Sequence, residues 1–420
     1  MKILVIGSGG REHAMVRRLL SSASCDSVVC APGNAGIAEI VECVDIFAHT
    51  DIVNYCKKNE IDLVVVGPEE PLVMGLADRL RDENIAVFGP SEAGAQLEAS
   101  KDFTKKLCDT YGIPTARYAT FDTLDAAKAY VNQQGAPIVI KADGLAAGKG
   151  VTVATSVGQA IHALEDCFGG AFGKAGARVV IEECMEGEEV SFFALCDGET
   201  AVGFASAQDH KRAFDNDMGP NTGGMGSFSP TPLVTAEMED TIMRTIITPT
   251  MEGLKKECIR YVGVLFAGLM LTKDGPKLIE YNCRFGDPET QSILARFDGD
   301  LAALLMSCAR GKIDLKQLRF NRDAVVCVVM AARGYPGDYV KNTPIHLGNA
   351  VSIGGVAIHH AGTVRVGEQL LSRGGRVLNI VAAAGSIRQA RYRAYEAIEM
   401  IDWPDGFCRR DIGAKVAKAS

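Results

Sequence analysis

A chain of 420 residues with 47% hydrophobic and 23% charged residues has the make-up of an ordinary soluble globular protein, long enough for roughly two to four domains with their own cores. Its net charge of −8 speaks against a general nucleic-acid binder and leaves room for a local basic pocket that takes a phosphorylated metabolite. The 13 cysteines are odd in number and nowhere form C-x-x-C, so neither a disulfide framework nor a zinc site is implied, and a reducing, cytoplasmic setting is expected. The apolar part of the opening MKILVIG is too short for a signal peptide, and the longest apolar run, 261–271, is too short for a membrane span.

Residues 1–100 alternate short strands (3–6, 28–30, 63–66, 86–88) with helical patterns, which predicts a parallel, doubly wound sheet with ligands at the carboxyl ends of its strands. The loop Gly7-Ser8-Gly9-Gly10-Arg11-Glu12 is not a dinucleotide fingerprint: Glu12 stands where the third glycine belongs, and the second strand ends in Cys30-Ala31 with no acid for a ribose hydroxyl. A glycine turn opening a helix beside Arg11 either holds a phosphate on backbone N–H groups or is an ordinary tight turn.

Residues 100–112 predict a helix with Ser100 as N-cap, Gly112 as C-cap and Pro114 beyond; Phe103, Leu107 and Tyr111 form its apolar stripe, flanked by Lys105 and Lys106 at positions that are usually solvated. Then 137–154 reads as strand, glycine-rich loop, strand. Lys141 ends the first strand, and Gly144, Gly148 and Gly150 enclose Lys149. The spacing is not that of a P-loop; a flexible flap over a triphosphate fits it, as does a mobile hairpin tip. Further strands follow at 177–183, from 190, and at 200–208, with Glu182 and Glu189 bracketing a tight turn that either meets a purine nucleoside or merely exposes two acids. The stretch 208–230 reads as a long loop without secondary structure. Its Asp209, Lys211 and Arg212 carry the mixed charge that a zwitterion needs, and His210 reads as a structural histidine or a base.

The most informative stretch is 262–291. It predicts a strand over 262–271, a Lys273-Asp274-Gly275 turn and a strand over 277–283, with Glu280 and Asn282 on one face and Ile279, Tyr281 and Cys283 on the other. A carboxylate beside an amide oxygen suits Mg2+ that keeps phosphates among its ligands; taken alone, the pair is also compatible with a plain polar hairpin. From 324 the pattern is strand-rich and ends in a helix over 387–400, a compact α+β module of about a hundred residues. Adjacent His359 and His360 point to opposite faces of their strand, which speaks against a shared metal.

Taken together, GSGGREHA, VVGPEEPL, KADGLAAGKGV, QDHKRAFD, GPNTGGMG, GLMLTKDGPKLIEYNCRFGDPETQ, HHAGT and GGRVLNIVA resemble, in this order and over essentially the whole chain, the phosphoribosylamine–glycine ligase (glycinamide ribonucleotide synthetase) family of the ATP-grasp superfamily. The resemblance implies an N-terminal doubly wound parallel sheet over 1–100, an ATP-grasp domain over 101–325 with a small mobile lid at about 121–188, and a C-terminal α+β domain over 326–420. It implies ATP contacts by Lys105, Lys141, the loop of Gly144, Gly148, Lys149 and Gly150, an adenine hinge at Glu182, Glu183 and Cys184, and a ribose contact by Glu189. Glu280 and Asn282 are implied ligands of Mg2+ or Mn2+, and Gly9, Gly10, Arg11, Asn221, Thr222, Gly223, Gly224 and Asp287 lie toward the substrate. Cys184-Met185, Asp217-Met218 and Ser372-Arg373 depart from the family pattern.

The implied reaction joins glycine to 5-phosphoribosylamine with ATP as co-substrate, by way of glycyl phosphate, in purine biosynthesis. Arg284, Asp209 and Lys211 are the candidate catalytic residues: Arg284 for the transferring phosphoryl group, Asp209 for the glycine ammonium. Small-molecule substrates are the expected partners, together with transient contacts to neighbouring purine-pathway enzymes, and neither nucleic acid nor membrane. A single-function enzyme is expected. The competing readings are another ATP-grasp carboxylate–amine ligase, an NAD-dependent oxidoreductase and a non-catalytic nucleotide-binding regulator.

Overall fold

The computed structural model describes residues 1–145 and 150–419; Gly148 and Lys149 of the expected flap lie outside them. The first hundred residues form a five-stranded parallel sheet in the order β3-β2-β1-β4-β5, from β1 (Lys2–Gly7), β2 (Ser27–Pro32), β3 (Glu42–Cys43), β4 (Leu63–Val66) and β5 (Ala86–Phe88). Ile3–Ile6 of β1 and all of β4 are buried, as expected of strands covered by helices on both faces. The order reverses between β1 and β4, so the loops leaving these strands, Gly7-Ser8-Gly9 and Gly67-Pro68-Glu69, open one crevice at their carboxyl ends. The two-residue β3 was not expected; only its pairing with Val29 and Cys30 makes it a strand.

The helix Lys101–Tyr111 begins and ends as predicted. Ser100 Oγ accepts from Phe103 N at 3.1 Å, and Gly112 takes the left-handed conformation at φ 67°. Next comes a four-stranded antiparallel sheet in the order β6-β9-β7-β8, built from β6 (Tyr118–Phe121), β7 (Ile138–Ala142), β8 (Val151–Ala154) and β9 (Val179–Glu183). Helices Leu124–Gln134 and Val157–Phe168 pack on it around Val131, Ile140, Leu164 and Ile181, which gives this lid a core of its own.

The largest sheet starts with β10 (Glu188–Asp197) and β11 (Ala201–Asp209). The stretch expected to be a structureless loop instead holds a small hairpin, β12 (Arg212–Phe214) with β13 (Met218–Asn221), followed by β14 (Gly226–Ser229). Short polar segments do not read as strands in isolation. These acquire the conformation by pairing with each other and with β17. The central hairpin is β15 (Val262–Thr272) with β16 (Gly275–Asn282). A bulge between Gly268 and Leu269 breaks its alternation, so Leu278, Tyr281 and Cys283 face the core while Ile279, expected beside Tyr281, is displaced from it.

After the fully buried helix Glu289–Leu294, the chain adds β17 (Ala324–Ala332), β18 (Val356–His360), the hairpin β19 (Thr363–Val366) with β20 (Gln369–Ser372), and β21 (Arg376–Ala384), and then the helix Ile387–Glu399. The C-terminal part is not a separate layer. Because β14 pairs with β17, one sheet runs β16-β15-β10-β11-β14-β17-β21-β18 from the central hairpin to the C-terminal strands. Gly226 permits the join, since a Cβ there would stand 2.6 Å from the Cys327 carbonyl oxygen.

Candidate active site

A cleft of about 1740 Å³ lies between the crevice of the first sheet, the lid and the polar face of β16. One wall holds a buried triad: Lys105 from the capped helix, Lys141 from the end of β7 and Glu182 from β9 are only 2%, 3% and 3% exposed. Glu182 Oε1 is 2.9 Å from Lys141 Nζ, and its Oε2 is 3.3 Å from Lys105 Nζ. Lys105 also donates to Thr115 Oγ1 at 2.7 Å and Lys141 to the Ile279 carbonyl at 3.1 Å. Burial pulls the Lys105 ammonium below its ordinary value, and Glu182 opposes that. Two ammonium groups on one carboxylate leave a surplus positive charge in the wall of the cleft, which is what a polyphosphate neutralises. The expected adenine-hinge residue Glu182 is thus committed to the lysines. Glu183 accepts from Arg117 Nε at 2.6 Å, and with Cys184, Gly144 and Gly150 it lines the cleft.

Opposite, β10, β11 and β16 bring together Glu189, Asp209, Lys211, Glu280 and Asn282. Lys211 is ion-paired with Glu189. Against burial, which lowers it, Glu189, Asp209 and Glu280 hold the Lys211 ammonium well above its ordinary value. Burial pushes Asp209 up to about 8, with Glu289 and Glu189 adding to the effect and Lys211 opposing it. Glu280 goes the other way: although burial raises it, Lys211, Lys141, Lys101 and Arg284 keep it below the usual carboxylate range. An ionised carboxylate and an amide oxygen on one strand form a hard-oxygen pair. Among the described residues no group of three or more His, Cys, Asp or Glu could hold a metal. As a donor set the pair would suit Mg2+, an ion that is usually held by one or two carboxylates together with phosphates and water.

Arg284 follows at the end of this strand. It meets Glu69 at 3.2 Å and Glu98 at 3.0 Å, and these two acids, Glu98 first, hold it above its ordinary value against burial. Neither partner was among the candidate residues read from the sequence, and neither was Glu289, whose Oε2 is buried without a hydrogen bond among the described residues. The PEEP turn was the one available signal for Glu69. For Glu98, on an ordinary helix, there was none.

The substrate side differs from expectation. Gly9 N donates to Glu12 Oε2 at 2.6 Å and Arg11 N to Asp287 Oδ2 at 3.3 Å, so carboxylates of the chain itself occupy the helix N-terminus that read as either a phosphate site or an ordinary tight turn. Arg11 is buried, bonded to Glu12 Oε1 at 2.6 Å and to the Phe285 carbonyl at 2.9 Å. Gly10 sits against Asn379 and Gln291 with no room for a Cβ. This turn joins the first and last parts of the chain, and of its three candidates Gly9 and Arg11 still line the cleft. Asn221, Thr222, Gly223 and Asp287 line it too, whereas Gly224 supports it from behind, its carbonyl accepting from Arg376 at 3.3 Å. His210 lines the cleft, is pulled down to about 4 by burial, and its Nε2 accepts from Gly413 N at 3.3 Å.

Models of phosphoribosylglycinamide synthetase match along the chain: the N domain over residues 1–98, the ATP-grasp (A) domain over 99–290 and the C domain over 325–415. The chain belongs to this synthetase family. Among relatives, the phosphoribosylamine–glycine ligase of Mesorhizobium japonicum is 55% identical over 416 residues, 98% of each chain. The chloroplastic one of Arabidopsis thaliana is 51% identical over 96% of this chain and 78% of its own length. The crystal structure of the phosphoribosylamine–glycine ligase from Thermotoga maritima superimposes with a TM-score of 0.86 at 32% identity, covering 98% of this synthetase-family chain and all of the other. A biotin carboxylase from Campylobacter jejuni, solved as a β,γ-ATP complex, shares the fold with a TM-score of 0.72 at 13% identity over 99% of this chain and 95% of its own.

Proposed function

We infer that this member of the synthetase family ligates glycine to 5-phosphoribosylamine at the expense of ATP, by way of glycyl phosphate. The observation that carries the reading is the arrangement of the cleft: the surplus positive charge of Lys105, Lys141 and Glu182 faces the Glu280–Asn282 pair, with Arg284 and the acids around Lys211 beside it. A carboxylate becomes an electrophile only when one oxygen is made a leaving group. Phosphorylation does that with positioning and charge neutralisation and needs no protein nucleophile. Glu280 and Asn282 would hold Mg2+, which when bound neutralises phosphate charge and orients the terminal phosphoryl group.

Lys105 and Lys141 bind phosphate oxygens, and Arg284 faces the phosphoryl group in transit. Lys211 and Asp209 take the two ends of the glycine zwitterion; an ammonium beside Asp209 offsets its burial and favours the ionised form. The ribosylamine nitrogen then attacks the acyl carbon, phosphate departs with the bonding pair, and the nitrogen gives up a proton. Water would destroy the acyl phosphate, and the lid over the cleft keeps it out. The thirteen free cysteines fit a reducing, cytoplasmic setting.

The test is ADP release from Mg-ATP, glycine and freshly generated phosphoribosylamine, omitting each in turn, with Glu280→Ala alongside. Release that needs both substrates and disappears in the variant supports the reading. Release with another carboxylate in place of glycine keeps the ATP-grasp chemistry and overturns the substrate assignment.

A further inference from the structure

Arg284 is oriented from outside its own strand. Glu98, on the helix Glu92–Ala99, puts one carboxylate oxygen 3.0 Å from an Arg284 terminal nitrogen and the other 2.8 Å from Cys283 N and 3.2 Å from Cys283 Sγ. The Glu98 side chain is 9% exposed. Glu69, the first residue of the short helix Glu69–Val73 after β4, meets Arg284 Nε at 3.2 Å. One carboxylate therefore fixes both the direction of the guanidinium and the backbone that follows Asn282. Anchored to a charged fork and to a main-chain N–H, it has little freedom to turn.

The same segment also reaches the lid. Glu98 is followed by Ser100 and Lys101, where Asp143, at the base of the lid loop, accepts from Ser100 Oγ at 3.1 Å and Lys101 N at 2.6 Å. Lys101 Nζ donates to the Gly144 carbonyl at 3.2 Å. The corner 98–101 is thus a single joint between the lid and the end of β16.

We propose that Glu98 is a positioning residue for the ligation, holding Arg284 and the end of β16 where phosphoryl transfer to the glycine carboxylate needs them. The proposal rests on the functional reading above. Glu98 acts through Arg284 and Cys283, and Glu69 contributes a smaller share through its single contact. Groups that face reacting atoms must be held to within about 0.5 Å, and losing the partner that orients one costs about 10–100-fold by analogy with metal-site partners.

Glu98→Gln tests it. The variant keeps an oxygen for Cys283 N and turns an amide donor toward the guanidinium, so the charge and the second bond are lost while the volume is kept. The expected result, measured well below the melting temperature of the variant, is a kcat lower by about 10–100-fold with a KM for ATP near the wild-type value. Hydroxylamine trapping of glycyl phosphate, with Mg-ATP and glycine alone, falls by the same factor and so places the loss in the first step. Glu69→Gln gives a smaller drop in kcat and serves as the test should Glu98→Gln fail to fold. Wild-type kcat in a folded Glu98→Gln overturns the proposal. A fully active Glu69→Gln beside a Glu98→Gln that loses activity only in step with its melting temperature overturns it as well. A wild-type protein that does not ligate would instead overturn the functional reading, before any variant is made.

Discussion

Glu182 balances two buried ammonium groups, so the members of its triad respond unequally to substitution. Removing the acid in Glu182→Ala strands two charges out of water and is expected to destabilise by about 3–5 kcal/mol. Lys105→Met leaves one matched pair and an aliphatic chain of similar length, and is expected to cost under about 1.5 kcal/mol while raising the KM for ATP. Denaturation midpoints against the wild type, with ATP kinetics on the methionine variant, check the order. The sequence could not rank neighbouring lysines on this helix. Lys106 is 69% exposed and pairs with Asp102 of its own helix, whereas Lys105 is buried against Glu182, which reaches it from β9. The Glu280–Asn282 pair was legible because strand alternation is local. Of the two carboxylates that close the Gly9–Arg11 turn, Glu12 is local, but Asp287 was not legible because it arrives from a distant part of the chain.

Element boundaries were clearest where the chemistry is local. The Leu63–Val66 strand is a continuous apolar run, and Lys101–Tyr111 carries its own serine and glycine caps. The small strands of 208–230 stayed hidden because pairing alone makes them strands. At this scale Asp143 invites a test: its carboxylate accepts from Lys101 N at 2.6 Å and Asp102 N at 3.2 Å, a cap supplied to the capped helix by the base of the lid. Asp143→Ala is expected to cost about 1 kcal/mol and to speed hydrogen exchange at those two amides, leaving amides in the second half of the helix unchanged.

Across the whole molecule, three histidines lie where the first and last parts of the chain meet. His13 Nδ1 accepts from His360 N at 2.9 Å, and the His13 ring centroid is 5.3 Å from that of His359 and 5.7 Å from that of His360. Burial, first among the causes, pulls His13 down to about 2, His359 to about 3 and His360 to about 4. The unfolded chain binds these protons below about pH 6.5 and the folded one does not. Stability is therefore full above that value and declines as pH falls toward 4, by up to about 1.4 kcal/mol per unit and histidine. Melting temperatures between pH 7 and pH 5 should fall less steeply in His359→Asn than in the wild type.

Among the described residues the lid sheet shares no strand with its neighbours, and the chain enters it on β6 and leaves it on β9, which lie side by side with Tyr118 opposite Glu182. Such a unit has the wiring of a cassette. Entry and exit already touch, so a lid of different length or loop chemistry could be spliced in at that doorway without re-routing the rest of the chain. The frame that carries Glu280 and Asn282 would keep its strands, and the nucleotide's roof would become the exchangeable part.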